Sequence, residues 1–273
     1  MKTFFTLSIF ILTLCSCNIK YTQLYETTSS FTKDGKAVYE NDTARIEYFF
    51  WDQAGVLAFA IYNKLNVPIY IDWKRSSYIK NGDKFDYWVD EQTSEYNTNY
   101  TSIQYKGLLY GWGVEGQSTT TGKTVKPERV TFIAPHSRIY KHYFILFNPS
   151  GTLLRIDHNP EVVNSKSQPG KSTVVYTNAY NKEKNPLTFR NFLTLSTSEK
   201  FDKDIYIDNE FYVSKITEMK AGEFRAGYKV INDQTIYTYP YQSDNCFYVD
   251  IDNSTAVAHR KKWKEKIYRP FYR

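Results

Sequence analysis

With only three cysteines, the 273-residue chain has too few to build a disulfide framework. No apolar run reaches the ~18 residues that an ordinary transmembrane helix requires. The four histidines, His136, His142, His158 and His259, form no H-x-x-x-H pair, so no zinc-type ligand spacing is offered. A G-x-S-x-G nucleophile elbow is missing as well. Helical periodicity is scarce. What is abundant is aromatic bulk: 25 Tyr, 18 Phe and 5 Trp make 18% of the chain. That is enough to fill a core, and it favours strands over helices. With 41% hydrophobic and 23% charged residues, the composition is globular rather than disordered.

The charge is not spread evenly. Beyond residue 17 the chain carries 34 basic and 29 acidic residues, a formal +5. Its last 15 residues, HRKKWKEKIYRPFYR, hold seven Lys/Arg against one Glu. A near-neutral body with a basic end does not resemble a nucleic-acid channel, which spreads Lys and Arg over a face or groove. Residues 254–268 offer a helix capped by Asn253 or Ser254 and stopped by Pro270. Trp263 and Ile267 fall one turn apart, with Ala256 and Arg260 on the same stripe. The first reading is a terminal element docked through Trp263 and Ile267. The second is a basic amphipathic segment resting on anionic lipid or lipopolysaccharide phosphate.

The N-terminus has the parts of a secretory signal peptide. Lys2 is followed by an apolar stretch, Phe4 to Leu14, and then by Leu14-Cys15-Ser16-Cys17. Eleven apolar residues are too few to span a bilayer of ~30 Å. Leu14-Cys15-Ser16-Cys17 resembles the lipobox of bacterial lipoproteins, with an aliphatic residue at −3 and a small one at −1. Cys15 is the poorer site because Leu14 would stand at its −1 position. The resemblance implies cleavage after residue 16 and a diacylglycerol thioether on Cys17. Acyl burial contributes ~0.8 kcal/mol per CH₂, so two or three chains make a durable anchor. Asn18 is not the Asp that retains some lipoproteins at the inner membrane, and no acid follows until Glu26. The expected address is the outer membrane, facing the periplasm.

Residues 17–36, polar and rich in Thr and Ser, read as a lipidated tether. From residue 37 strand signals dominate. Residues 43–51 alternate, with Ala44, Ile46, Tyr48 and Phe50 on one face. Residues 55–63 form a continuous apolar run, consistent with a strand buried on both faces. Ile69, Ile71 and Trp73 fall in phase. Asn81-Gly82 marks a type I′ hairpin. Further strands are expected near 128–134, 137–147, 172–180, 187–196 and 204–216, with a last pair at 234–239 and 246–251. The polar stretch 158–172, with two Pro and a Gly, is the best candidate boundary. Short strands at 8–12-residue spacing predict an all-β, immunoglobulin-like antiparallel β-sandwich with added strands. Its body spans 37–157. Residues 172–252 either enlarge that sandwich or form a second β domain, and 253–273 form the basic tail.

Candidate chemistry is sparse. Gly111-Trp112-Gly113-Val114-Glu115-Gly116 matches G-x-G-x-x-G, but Gln, Ser and Thr follow where a phosphate-binding helix should open. Gly116 to Gly122-Lys123-Thr124 misses P-loop spacing by one residue. Cys246 reads as a buried, inert thiol. Asp250 with Asp252, and Asp204 with Tyr206, share strand faces and read as solvated strand ends rather than Ca²⁺ ligands. Asp72-Trp73-Lys74 with Ser76-Ser77 is the densest polar–aromatic cluster, either a ligand cleft or a strand-end turn packed by Trp73. Tyr87, Trp88, Tyr110 and Trp112 lie beside Gly or polar loops, where aromatic faces can stack on sugar rings. Asp42-Thr43-Ala44 resembles the periplasmic O-glycosylation site of the Bacteroidota, which would place a glycan on Thr43.

The stretch IYNKLNVPIYIDWKRSSYIKNG (residues 61–82), with FRNFLTLS and FYVSKI, is similar to a group of uncharacterised cell-envelope lipoproteins of the Bacteroidota. That resemblance implies a location and no activity. The expectation is a non-enzymatic lipoprotein without a cofactor or metal. Its partners are the membrane, through Cys17, and another envelope protein acting on a scaffold or accessory. The alternative is a glycan-binding module using Asp72, Trp73, Trp88, Tyr110 and Trp112. A hydrolase with an unrecognised site comes third.

Overall fold

The computed structural model describes residues 21–88, 128–147, 159–231 and 234–251. Their elements run β1 (Tyr21–Thr28), β2 (Thr32–Lys33), β3 (Lys36–Glu40), β4 (Ala44–Phe49), β5 (Val56–Asn63), β6 (Ile69–Asp72), β7 (Ser77–Lys80), β8 (Asp83–Asp86) and β9 (Val130–Ile133). They continue with β10 (Arg138–Ile145), β11 (Asn159–Asn164), β12 (Ser172–Ala179), β13 (Thr188–Ser196), β14 (Ile205–Lys220), α1 (Ala221–Phe224), β15 (Gly227–Ile231), β16 (Gln234–Thr238) and β17 (Cys246–Ile251). A ten-stranded and a five-stranded antiparallel sheet pack together, and β15–β16 form a separate two-stranded ribbon. The expected all-β antiparallel sandwich is the architecture observed. It is larger than the about seven to nine strands of an immunoglobulin domain.

The alternating strands behave as their pattern dictates. Ala44, Ile46, Tyr48 and Phe50 are all buried, as are Ile69, Ile71 and Trp73. In β5, Leu57, Phe59 and Ile61 face the core, while on the other face Val56, Ala58 and Tyr62 are half-buried and Ala60 is buried. Ala60 and Tyr62 of that face line a surface depression, so among the described residues the apolar run is not buried along its whole length on both sides. Between the sheets Phe50, Phe189 and Phe211 meet at centroid distances of 5.1–5.3 Å. Tyr25 stacks on Phe247 at 4.7 Å. Each such pair contributes about 0.5–1.5 kcal/mol beyond its buried area.

Two long strands organise the larger sheet. β14 pairs β1 along one side and, on the other, first β13 and then β12. The sheet bends at Ser214, the extra residue between Val213↔Thr27 and Lys215↔Glu26. β13 in turn pairs β6 and β7, joined by a 3₁₀ turn at Trp73–Arg75. Strands from before and after residues 158–172 therefore share one sheet. That stretch itself contains β11, because Pro160 is tolerated in an edge strand.

Two other expectations need correction. Tyr21–Thr28, within the expected tether, is a buried strand between β14 and β17. Its polar side chains are satisfied across strands rather than by water. The Thr22 hydroxyl donates to Asp250 at 2.7 Å, Gln23 Nε2 donates to Glu218 Oε2 at 3.3 Å, and Thr27 donates to the Asn245 carbonyl at 2.7 Å; within the strand, Tyr25 donates to Gln23 Oε1 at 2.6 Å. The last strand pair also differs: β16 pairs β15, and β17 pairs β1.

A polar tie crosses the core. The Tyr48 hydroxyl on β4 accepts from Asn191 Nδ2 at 3.0 Å and Asn209 Nδ2 at 2.8 Å, from β13 and β14. Tyr87 donates to Asn191 Oδ1 at 2.7 Å. All four residues are buried. Tyr48→Phe keeps the ring but strands two amide donors, and should lower the unfolding free energy by about 1–3 kcal/mol. Urea denaturation measures this, with the m-value unchanged if compactness is kept.

Two glycines separate backbone from packing effects. Asn81 (φ 50°) and Gly82 (φ 95°) form the β7–β8 turn, and a Cβ on Gly82 would meet nothing within 4 Å. Gly55 has φ 70°, and there a Cβ would fall 2.7 Å from the Phe247 ring. Gly82→Ala should therefore cost roughly 1–2 kcal/mol, from the left-handed backbone alone. Gly55→Ala should cost about 2–5 kcal/mol, because overpacking against Phe247 is added. Paired urea midpoints check the order.

Candidate functional site

The Asp72 cluster assembles as the sequence suggests and closes in on itself. Asp72 ends β6 and is almost fully buried. Its Oδ1 accepts from the backbone N–H of Lys74 (3.0 Å) and Arg75 (3.3 Å), capping the 3₁₀ turn. Arg129 completes the shell with Nε at 3.2 Å from Oδ1 and Nη2 at 2.6 Å from Oδ2. Four donors leave this carboxylate little capacity to act on a ligand. The Ser76 hydroxyl donates to the Asp72 carbonyl (2.7 Å) and accepts from Thr194 N–H (2.9 Å), fastening the turn to β13.

Trp73 is also buried, which rules its face out as a sugar platform. Its indole N–H donates to Thr131 at 2.9 Å, and its ring meets Tyr87 (5.8 Å) and Tyr143 (5.7 Å). Lys141 Nζ lies 5.0 Å from the Trp73 ring centre, and Lys74 Nζ 5.5 Å from that of Trp88. Burial pushes the Lys141 ammonium below its ordinary range. Trp88 is half-buried against the core. The structure thus brings Asp72, Trp73, Tyr87 and Trp88 together, as a strand-end turn packed by Trp73. Tyr110, Trp112, the 111–124 glycine segment and Cys17 lie outside the described residues.

The other candidates are committed to packing or pairing. Asp204 and Tyr206 join Arg75, with Arg75 Nη1 3.0 Å from Asp204 Oδ1 and the Tyr206 hydroxyl 2.7 Å from Asp204 Oδ2. Asp250 accepts from Thr22 and, at 2.6 Å, from Arg225 Nη2. Cys246 is buried; burial, then the nearby Glu26 carboxylate, pushes its thiol up to about 12. His136 Nε2 lies 2.7 Å from Asn66 Oδ1. Thr43 is half-exposed in the β3–β4 turn, where its N–H donates to Asn41 Oδ1 at 2.9 Å. Among the described residues, no three His, Cys, Asp or Glu side chains converge on a metal-sized site. A depression of about 310 Å³ on the outer face of the five-stranded sheet is lined by Glu40, Arg45, Glu47, Tyr62, Lys64 and Arg138. Four of its charges are paired locally, Arg45 with Glu47 at 2.7 Å and Lys64 with Glu40 at 2.6 Å, and Arg138 lies over the Tyr140 ring at 5.2 Å.

One polar knot escaped the sequence reading. Glu223 of α1 is buried, and its carboxylate collects Ser165 Oγ (2.6 Å), Ser167 Oγ (2.8 Å), Lys166 N–H (2.9 Å) and Tyr241 Oη (2.6 Å). Nothing local in Ala221-Gly222-Glu223-Phe224 announces this, since the donors come from 56 to 58 residues upstream and 18 downstream. The knot ties the β11–β12 turn to the root of the β15–β16 ribbon.

No family model, curated protein or solved structure matches the chain.

Burial alone would raise the Glu223 pKa, but hydrogen bonds from Ser165, Tyr241, Ser167 and Lys166 outweigh it and hold the carboxyl below its ordinary range. A carboxylate depressed on folding contributes stability above its unfolded value of ~4.3, and that stability is lost as pH falls through the folded value. Glu223→Gln should therefore be less stable than the parent at pH 6–7 by about 1–3 kcal/mol. The gap should narrow steadily below pH ~4. Urea midpoints across pH 3–7 measure the convergence.

Proposed function

We propose that the chain is a lipid-anchored cell-envelope protein that works by holding another envelope protein, not by catalysis. In this reading Leu14-Cys15-Ser16-Cys17 directs acylation of Cys17, and the sandwich stands in the periplasm on the outer membrane. The likeness to cell-envelope lipoproteins of the Bacteroidota supports that address. On the same footing, Thr43 in the β3–β4 turn is an O-glycosylation site.

The observation that carries the binding reading is the β11 edge. β11 lies at the end of the sheet path, and among the described residues it pairs only with β12. Val162 and Val174 stand directly opposite each other and are 73% and 45% exposed. An edge strand bearing uncovered β-branched side chains can accept an added strand, with backbone bonds giving affinity and side chains selecting the partner. Pro160 in the same strand withholds one donor and so limits indiscriminate pairing.

Two measurements test this. Metabolic labelling with an alkynyl fatty acid should tag the wild type and not Cys17→Ser; an unmodified Met1 terminus on soluble material overturns the anchor. A photo-crosslinking residue at Val162 should give a discrete adduct with an envelope protein, whereas one at Lys184 should not. Equal labelling at both positions overturns the edge as the binding surface.

A further inference from the structure

The register of β1 gathers three separate parts of the chain at one end of the larger sheet. Tyr21, the first residue of β1, pairs with Lys220, the last of β14, and with Ile251, the last of β17. Upstream, four residues lead back from Tyr21 to Cys17, a reach of at most ~14 Å. Past Lys220 the chain enters α1 and then the β15–β16 ribbon. Past Ile251 the sequence runs into the segment with seven Lys/Arg against one Glu.

The ribbon's described apolar side chains are largely exposed. Tyr228 and Tyr237 form a directly opposed pair, 67% and 44% exposed. Val230, two residues along on the same face, is 61% exposed, and Ile236 on the opposite face 50%. A five-residue antiparallel ribbon, ~17 Å long, thus presents aromatic and aliphatic side chains to solvent on both faces. Its root, by contrast, is held firmly. The Ala226 N–H donates to the Thr238 carbonyl at 2.9 Å, and Phe224 packs on Tyr239 at 5.3 Å. Arg225 lies over Tyr237 at 5.5 Å and donates to Asp250, which also takes the Thr22 hydroxyl of β1. The chain Tyr237–Arg225–Asp250–Thr22 fixes the ribbon's base to the strand on which the anchor hangs.

We propose that the β15–β16 ribbon is a membrane-contact element, which seats Tyr228, Val230, Ile236 and Tyr237 in the interface of an anionic bilayer beside the lipid on Cys17. Tyrosine suits that layer because it offers an apolar ring and a polar tip, while Val and Ile enter the acyl boundary. Lys229 lies between Tyr228 and Val230, and the sequence 227–238 holds one Lys and one Asp, so the segment carries almost no net charge. The preference for anionic lipid therefore comes from the basic sequence after Ile251, attached at the same end. Acyl chains alone leave a protein free to swivel; a rigidly rooted ribbon adds a second contact and sets the orientation of the body. This inference rests on Cys17 anchorage, which brings this end of the sheet to a bilayer.

The test uses the full lipidated protein in vesicles of phosphatidylcholine with about one-third phosphatidylglycerol. A polarity-sensitive fluorophore is placed by Val230→Cys or, as control, Lys184→Cys; Cys246 is buried and does not compete. The expected result is emission shifted to the blue at position 230. Quenching there by spin-labelled lipid should be at least roughly threefold stronger than at position 184. Replacing phosphatidylglycerol by phosphatidylcholine should weaken it. A protein that fails to float with vesicles overturns anchorage, and this inference with it. A protein that floats while the position-230 probe stays open to aqueous iodide overturns the ribbon contact and leaves anchorage standing. Shielding from iodide without lipid quenching means contact between protein copies, and also overturns it.

Discussion

The molecule depends on a strand near its N-terminus being paired on both sides. Residues 21–28 must satisfy their backbone N–H and C=O groups in a buried position, and β14 and β17 supply the partners. An N-terminal strand in that place joins residues more than 200 positions apart. It closes the sheet around Tyr25, whose ring stacks on Phe247, while Phe247 in turn crowds Gly55 at the β4–β5 turn. The core of the sandwich, the bend at Ser214 and the meeting of residues 21, 220 and 251 at one end all follow from that placement. Such long-range closure has a large loop entropy cost, which only extensive apolar burial offsets.

Much of the sandwich was legible because local patterns and the final environment agree. Ala44, Ile46, Tyr48 and Phe50 alternate with polar residues, and one face is core. Asn81-Gly82 demands positive φ twice, and the backbone adopts it. The failures come where polar residues are buried or where pairing is remote. Thr22, Gln23 and Thr27 look like tether residues, but cross-strand partners replace water for them. β11 sits in a Pro- and Gly-containing stretch that reads as a boundary, because an edge strand tolerates Pro. That β17 joins β1 rather than β16 is carried by no turn signal, since the two strands are brought together only by the finished sheet.

The functional side follows the same division. The residues 72–88 cluster was visible as a concentration of charge and aromatics, yet sequence could not say whether Asp72 and Trp73 faced out or in. Once Arg129 and Thr131 arrive from the far side of a polar segment, both side chains are fully engaged. Asn191 and Asn209 pass for exposed strand residues until Tyr48 is placed between them. The interior polar groups here are spent on fixing register between layers, a use for which buried hydrogen bonds are well suited.

That spending shapes what the surface has left to offer. The carboxylates singled out at positions 72, 204, 223 and 250 each serve cations, hydroxyls or backbone donors of the chain itself. Uncovered apolar area, by contrast, is concentrated in places that include the β11–β12 edge and the β15–β16 ribbon. These two are not independent. Glu223, at the ribbon's root, holds the Ser165–Ser167 turn that links β11 to β12. A partner pairing along β11 and a bilayer touching the ribbon would pull on the same buried carboxylate. On the proposed reading, that knot fixes the angle at which the edge strand is presented relative to the membrane. The tie is stiff because it is short, charge-assisted and fully donated.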